Sequence, residues 1–383
     1  MKTMYSKLPN IGTTIFTVMS NLAKEHNAIN LSQGFPDYPI SPVLVDLVTK
    51  AMQDGYNQYA PMTGLPELRN ALATKMEKLY QSTINPDSEI TITPGGTYAI
   101  YTAFTTILQA GDEAIVLEPA NDSYIPNIET NGAKAICIPL RYPDYSVDWE
   151  LVKASISHKT KAIIINSPHN PTGYIWSKDD MLKLDEITRD TSIYVISDEV
   201  YEHITLDGRA HESVLKYPSL FARSFVIYSF GKVFHTTGWK MGYCVAPADL
   251  MKEFRKIHQF LSFTCNTPMQ VALAQFLTHE SEYLSLPAFF ERKRNLFLDL
   301  LSDLPFTIHQ KAQGSYFQLA SYEKINHMPD KDFAIWLTKE HGVATIPVSA
   351  FNHDGKDDKL IRFCFAKQDE TLELACQRLG KLI

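Results

Sequence analysis

Six short runs rich in Ile and Val constrain this chain more than anything else in it. They are EITIT (89–93), EAIVLEP (113–119), KAICIPL (134–140), KAIIINSP (161–168), SIYVISDEV (192–200) and SFVIYSF (224–230). Each is bounded by turn residues and is apolar at consecutive positions rather than alternate ones. A strand that is apolar on both faces is covered on both, which suits a buried, largely parallel sheet. Between the runs lie amphipathic stretches such as Tyr98–Leu108 and Lys178–Thr188. Ser177 stands where it can cap the second, and Asp179 and Asp180 in its first turn suit the helix dipole. Strand–helix alternation of this kind predicts an α/β, doubly wound core.

The pattern changes after about residue 250. Met251–Thr278 and Tyr283–Leu301 read as long helices, followed by shorter strands in FTIHQ, SYFQLA, VATIPV and KLIRFCFA with helices between them. That is an α+β unit. The first 45 residues read as an extended arm with one helix, Phe16–His26. The expected organisation is an arm that forms part of a small domain (1–45), a large domain (46–279) and a C-terminal small domain (280–383).

Composition removes several classes. Of 383 residues, 45% are hydrophobic and 21% charged, which excludes a disordered, collagen-like or coiled-coil chain. A net charge of −7 offers no general attraction for nucleic acid. The five cysteines are widely spaced, without a C-x-x-C pair, and Cys137, Cys244 and Cys364 sit among apolar neighbours. Neither a metal site nor a disulfide framework is expected from that spacing. The N-terminal stretch has no signal-peptide core, and no run approaches the roughly 18 apolar residues of a membrane span. A cytoplasmic protein without membrane or nucleic-acid partners is expected.

Polar residues follow directly on the buried runs. Asn170 lies in SPHNPTG after KAIIIN; Asp198 and Tyr201 close the SIYVISDEVY run; Ser229 and Lys232 close SFVIYSFGK. In an open α/β sheet, ligands bind beyond the carboxyl ends of the strands, so these residues should share one crevice. The glycines of TPGGTYAIYTA, between a strand and a helix, add an anion site at a helix N-terminus. A phosphate cradle, an acid and a lysine together fit pyridoxal 5'-phosphate. Its aldehyde forms a Schiff base with a lysine, its ring nitrogen takes a carboxylate, and its phosphate takes a helix start.

With these residues in place, the chain resembles the class I (fold type I) aminotransferases from about Leu31 to its end. The motifs, in order, are LSQGFPD, YNQYAPMTGLPELR, TPGGTYAIYTAF, NSPHNPTG, SDEVYEHI, SFGKVFHTTGWKMGY and IRFCFAK. LSQGFPD, SFGKVFHTTGWK and IRFCFAKQDETL are most similar to the methionine and kynurenine/glutamine (aromatic) subgroup. The resemblance implies a fold type I transferase: a mostly parallel central sheet in a large domain plus a smaller α+β domain. It implies that Lys232 is the Schiff-base lysine, Asp198 the pyridinium partner, and Tyr201 and Asn170 the groups facing the phenolic oxygen. Gly96, Thr97 and Tyr98 match the phosphate loop, and Ser229 and Lys240 resemble further phosphate contacts. At the latter position many relatives carry arginine; a lysine supplies a point charge in place of a fork. Tyr59 resembles a tyrosine that reaches the phosphate of a neighbouring subunit, which implies a homodimer with shared sites. Arg362 resembles the residue that grips the substrate α-carboxylate, helped by Gly34 and Asn170. In EPANDSY, Asn121 stands where relatives place an aromatic ring against the cofactor, which forgoes roughly 0.5–1.5 kcal/mol of aromatic pairing; Tyr124 is the nearest ring in sequence.

The implied activity is a ping-pong transamination from a large uncharged amino acid (methionine, aromatic, glutamine or kynurenine) to a 2-oxo acid. The alternatives are a β-lyase acting on cysteine S-conjugates or cystathionine through the same Lys232, and a non-catalytic regulator on the same fold. A plain strand-end lysine, an aspartate capping the next helix and a simple turn glycine are the bland readings of Lys232, Asp198 and Gly34.

Overall fold

The structure, a computed structural model, describes residues 5–382. All six Ile/Val-rich runs are strands: Ile90–Thr93, Glu113–Glu118, Lys134–Pro139, Thr160–Asn166, Tyr194–Asp198 and Ser224–Ser229. A seventh, Gly242–Val245, was not expected. Its four residues follow a turn at Lys240, which takes a left-handed φ of 54°, and they run back against the others. Across the sheet the order is Ile90–Thr93, Gly242–Val245, Ser224–Ser229, Tyr194–Asp198, Thr160–Asn166, Glu113–Glu118, Lys134–Pro139. Gly242–Val245 is antiparallel to both neighbours and the remaining pairs are parallel.

The central strands are buried at nearly every position, as their two-faced apolarity requires. Ile163, Ile164 and Ile165 are each 1% exposed, and Val195, Ile196, Phe225, Val226 and Ile227 are fully buried. Each such side chain contributes roughly 1.5–3 kcal/mol by leaving water. Gly242 shows how tightly the antiparallel strand is inserted. A Cβ there would lie 2.7 Å from the Tyr228 carbonyl oxygen and 3.0 Å from backbone carbon of Gly95.

Helix Lys178–Thr188 has the expected bounds and a reciprocal cap: Asp180 N–H donates to Ser177 Oγ, and Ser177 N–H donates to Asp180 Oδ2. The other expected helices need correction. Residues 251–278 form two helices, Ala248–Leu261 and Thr267–Phe276, because Pro268 cannot sit in a helix interior. Pro268 instead opens the second helix, where Asn266 Oδ1 accepts the Met269 N–H at 3.1 Å. Pro287 likewise separates Ser281–Leu284 from Leu286–Ser302. FTIHQ is not a strand; it contributes one bridge, Thr307 to Ser321.

Downstream, Phe317–Ser321, Leu360–Cys364 and Ile346–Pro347 form a three-stranded antiparallel sheet with Leu360–Cys364 in the middle. The VATIPV run divides, and its first half, Val343–Ala344, pairs in parallel with Ile29–Asn30. The N-terminal segment is therefore joined to the C-terminal unit. Its first helix is Ile15–Glu25, capped by Thr14, and a second, Pro42–Gln53, begins within the segment expected to be extended. Beyond Ile29–Asn30 the chain continues past Leu31, whose carbonyl accepts the Cys364 N–H at 2.8 Å. Among the described residues, no helix is long and apolar enough to cross a membrane.

Candidate active site

Four parallel strands end at one cavity of about 270 Å³, lined by Gly96, Thr97, Asn121, Asn170, Asp198, Tyr201, Ser229, Lys232, Lys240, Gly34 and Arg362. Every site residue expected from the sequence is thus present except two. Tyr98 turns away: its ring packs edge-on against His258 and its hydroxyl lies 2.9 Å from His258 Nδ1. At a helix start the backbone faces an anion while the side chain can point elsewhere, so only backbone Tyr98 remains available. Tyr59 is 82% exposed, with its ring against Phe263.

Asp198, the last residue of its strand, is buried with its carboxylate in the cavity. Tyr124 O–H donates to Oδ2 at 2.5 Å and Val200 N–H to Oδ1 at 3.3 Å. Burial pushes the carboxyl up to about 6, although the Tyr124 and Val200 hydrogen bonds and the positive charge of Lys232 pull it down. Lys232 follows a strand end by three residues, and its Nζ donates to the Gly34 carbonyl at 3.3 Å, 5.6 Å above the Tyr201 ring. Burial lowers its ammonium to about 8. At pH 7.5 about a quarter of such amines are neutral, against about one in a thousand for an ordinary lysine.

Arg362, on the middle strand of the C-terminal sheet, is 1% exposed. Its guanidinium lies 3.9 Å from the Phe317 ring centre, and it donates to Asn170 Oδ1 at 2.6 Å and the Ser32 carbonyl at 2.9 Å. Nε has no partner. A buried donor without an acceptor costs about 1–3 kcal/mol, more for a charged group. Burial also lowers this guanidinium to about 10.

Sequence reasoning missed two residues that organise these groups. Asn166 Nδ2 donates to the Asp198 carbonyl at 2.8 Å and its Oδ1 accepts the Asn170 N–H at 2.8 Å, so one amide ties two strand ends together. Its place at the end of a recognised strand was signal enough. Tyr124 carries no comparable signal, since its partner is 74 positions away. It is the ring nearest Asn121 in sequence, but its hydroxyl is committed to Asp198. Asn121 Oδ1 accepts from Ser123 N–H and O–H within its own loop. His169 is buried, 2.6 Å from Thr172 Oγ1, and burial lowers it to about 3, a structural position.

Behind the cavity, residues alternating with Asp198 and Tyr201 are locked into the core. Lys75 Nζ pairs with Glu202 Oε1 at 2.5 Å and Tyr80 O–H donates to Oε2 at 2.5 Å. Burial alone would raise Glu202; Lys75, His203 and Tyr80 outweigh it and hold the carboxyl at about 2. Glu199 accepts from Tyr228 O–H, Ser197 O–H and Val214 N–H, with His211 Nε2 2.9 Å away. The 197–203 segment is held from its far side, which fixes the two residues that face the cavity.

The residues fit pyridoxal phosphate on two further observations. Gly95 has φ 87°, and a Cβ there would come within 3.5 Å of Lys240 Cε and Nζ, so the loop presents bare backbone N–H groups beside a cation. Arg362, whose Nε has no partner, lines the same cavity as Lys232, and its guanidinium is the group with which a carboxylate would pair there.

A model of the family described as aminotransferase class I and II matches residues 26–379. The chain is 47% identical over 378 residues to methionine aminotransferase of Escherichia coli K12, covering 98% of each chain. It is 34% identical to human kynurenine–oxoglutarate transaminase 3, covering 96% of this chain and 88% of that one. Among solved structures it superposes with a TM-score of 0.97 on an E. coli protein whose structure and reactivity identify a methionine aminotransferase function. That pair is 45% identical, with 99% of this chain and 100% of the other covered.

Tyr124→Phe removes a hydrogen bond that stabilises ionised Asp198, so the carboxyl should hold its proton to a higher pH. Added pyridoxal phosphate should bind wild type less well as pH falls through about 6. The variant should lose affinity at a higher pH and bind about tenfold less tightly near neutrality. Fluorescence titration across pH measures both, with Asp198→Asn as the pH-insensitive control. A Tyr124→Phe profile superimposable on wild type would show that this hydroxyl does not tune Asp198.

Proposed function

The chain belongs to the class I and II aminotransferase family, and from that premise we propose that it moves the amino group of a large uncharged amino acid to a 2-oxo acid. The observation that carries this reading is the meeting in one cavity of a buried guanidinium whose Nε lacks an acceptor, Arg362, with an acidified amine, Lys232. One holds an α-carboxylate and the other works at the adjacent carbon. As a class I aminotransferase the protein depends on pyridoxal phosphate and takes amino acids and 2-oxo acids as substrates.

When bound, the cofactor supplies an aldehyde that takes up amines and a ring that accepts the electron pair released at Cα. The proposed roles of the protein's own groups follow from their chemistry. Backbone N–H groups at Gly96, Thr97 and Tyr98 hold the phosphate at the start of helix Gly96–Ile107, with the Ser229 hydroxyl and Lys240 ammonium beside them. Asp198 holds a proton on the ring nitrogen, and its own pKa of about 6 leaves it ionised at neutral pH. Tyr201 and Asn170 face the phenolic oxygen. Lys232 is the covalent anchor and, once freed, moves a proton at Cα as a neutral amine. Arg362 takes the substrate carboxylate in a fork already oriented by Asn170 and the Ser32 carbonyl. The Gly34 carbonyl is engaged by Lys232 and by Tyr316 O–H at 2.7 Å, so its part in carboxylate binding falls to its N–H.

The uncharged donor is supported by the walls. Phe317 and Phe16 line the cavity 3.9 and 5.3 Å from the Arg362 guanidinium, and among the described residues no second arginine lines it to meet a side-chain carboxylate. Relatives named for methionine and kynurenine support the same choice. The β-lyase and regulator readings gain no support from these aminotransferase relatives. We further propose the three-part division 1–45, 46–279 and 280–383, a cytoplasmic location, and a two-fold homodimer. The exposed rings of Tyr59 and of Phe260, 86% exposed, suit a face covered by a second copy.

Borohydride treatment of the loaded protein should fix a pyridoxyl group on Lys232, located by peptide mass spectrometry. Methionine, phenylalanine, tyrosine, glutamine or kynurenine should yield oxo acid faster than aspartate, and Lys232→Ala should bind cofactor without transaminating. Aspartate as the best donor, or pyruvate and ammonia from cystathionine as the main products, would overturn the substrate reading.

For the dimer, light scattering should give twice the chain mass. Tyr59→Phe should weaken cofactor retention by roughly 1.5–3 kcal/mol, the worth of one hydrogen bond to a charged group, without unfolding the chain. A fully active monomer at assay concentration would end both the dimer and the role given to Tyr59.

A further inference from the structure

Glu118 and Cys137 lie on adjacent parallel strands at the far edge of the large sheet, and their register fixes which way they point. Val116 is level with Cys137, and Glu118 follows Val116 by two residues. Side chains two apart share a face, so Cys137 and Glu118 stand on the same one. The turn after Phe351 lays His353 across it. His353 N–H donates to Glu118 Oε1 at 2.8 Å, and its Nδ1 lies 2.8 Å from Oε2. A carboxylate oxygen, a thiol sulfur and an imidazole nitrogen thereby come within 4.8 Å of one another. Glu118 is buried, Cys137 half-buried and His353 exposed, so the group has a closed back and an open front.

We propose that Glu118, Cys137 and His353 bind a single divalent cation of borderline softness, with zinc as the natural occupant. Magnesium and calcium take oxygen ligands, whereas a mixed oxygen, nitrogen and sulfur set selects zinc and its neighbours. Tetrahedral zinc with bonds of about 2.0–2.3 Å needs ligand atoms roughly 3.3–3.8 Å apart. The widest spacing must close by about 1–1.5 Å at most, while His353 Nδ1 and Glu118 Oε2, now 2.8 Å apart, must open slightly, a movement the exposed His353 side chain can make. Water fills the fourth position.

Charge balances as well. The carboxylate and a thiolate together cancel the two positive charges of the ion, and the imidazole binds neutral. On binding, the Cys137 thiol releases its proton to solvent. The His353 ring coordinates through Nδ1 with its hydrogen moved to Nε2, and nothing is oxidised or reduced. Without metal, Cys137 is no nucleophile: burial first, and then Glu118, push its thiol up to about 12.

The position gives the ion a consequence. Glu118 leads into the loop that carries Asn121, and Ala120 N–H donates to the Phe351 carbonyl at 2.8 Å. A cation held by both strands and the His353 turn would fasten that loop to Phe351, whose ring lies 5.0 Å from the Arg362 guanidinium. Metal binding should therefore stiffen one wall of the cavity without touching its chemistry, and it does not depend on which amino acid is the donor.

The test is calorimetric titration of zinc chloride into the pyridoxal-phosphate-loaded protein, freed of metal and of any affinity tag. One equivalent should bind per chain, with release of one proton from Cys137 plus any carried by His353, whose imidazole the hydrogen bond to Glu118 holds above its ordinary pKa, read from the dependence of the heat on buffer ionisation. Cys137→Ser and His353→Asn, each shown native by circular dichroism, should each weaken binding by about tenfold or more. Cobalt(II) should produce a thiolate charge-transfer band that Cys137→Ser lacks. Absence of saturable binding, or undiminished binding in either variant, or no thiolate band, would overturn the proposal.

Discussion

Everything in the site depends on taking three ionisable groups out of water together. Burial moves Asp198 up to about 6, Lys232 down to about 8 and Arg362 down to about 10. Each shift is toward the neutral form, which is what a low-dielectric setting does to an isolated charge. None of the groups is pushed so far that it loses its ionised form near neutral pH. Tyr124 and Val200 support the carboxylate, Asn170 and the Ser32 carbonyl support the guanidinium, and the Gly34 carbonyl receives the amine. The cavity is thus an arrangement in which burial supplies reactivity and a few directed hydrogen bonds keep it from quenching the charges.

Holding that arrangement requires segments far apart in sequence. Asp198 ends one strand of the large sheet and Lys232 follows the end of its neighbour, whereas Arg362 belongs to the C-terminal sheet and Gly34 to the N-terminal segment. The parallel ladder of Ile29–Asn30 with Val343–Ala344, and the Cys364 N–H to the Leu31 carbonyl, stitch the last two together. From there Ser32 and Gly34 reach the two cations. The Lys75–Glu202 pair performs the same service from inside the core. Removing one partner of such a pair would strand the other charge at roughly 3–5 kcal/mol, so the segment bearing Asp198 and Tyr201 resists displacement.

Much of this was legible in the sequence because it rests on local physics. Strands apolar on both faces announce a buried sheet, and residues just beyond them fall at its carboxyl edge, which places Asn170, Asp198, Ser229 and Lys232 without any structure. Gly242–Val245 escaped because four residues after a turn carry too little pattern. The helix breaks at Pro268 and Pro287 were readable and should have divided both long helices. Side-chain direction was not readable: nothing in PGGTY says that the Tyr98 ring leaves the cavity for His258. Partnerships across long separations, Tyr124 with Asp198 and Glu118 with Cys137 and His353, likewise have no local signature. Cysteine spacing rules see ligands close in sequence, and the sheet brings these three together instead.

The most direct test of the account is the titration of Lys232 itself in cofactor-free protein. The rate at which its Nζ is acetylated by a limiting reagent, followed by peptide mass spectrometry against pH, reports the fraction of neutral amine. A midpoint near 8 is expected, with Lys232 reacting well below the pH at which the exposed lysines do. A midpoint near 10.5, shared with those lysines, would contradict the claim that burial in this cavity makes the amine reactive.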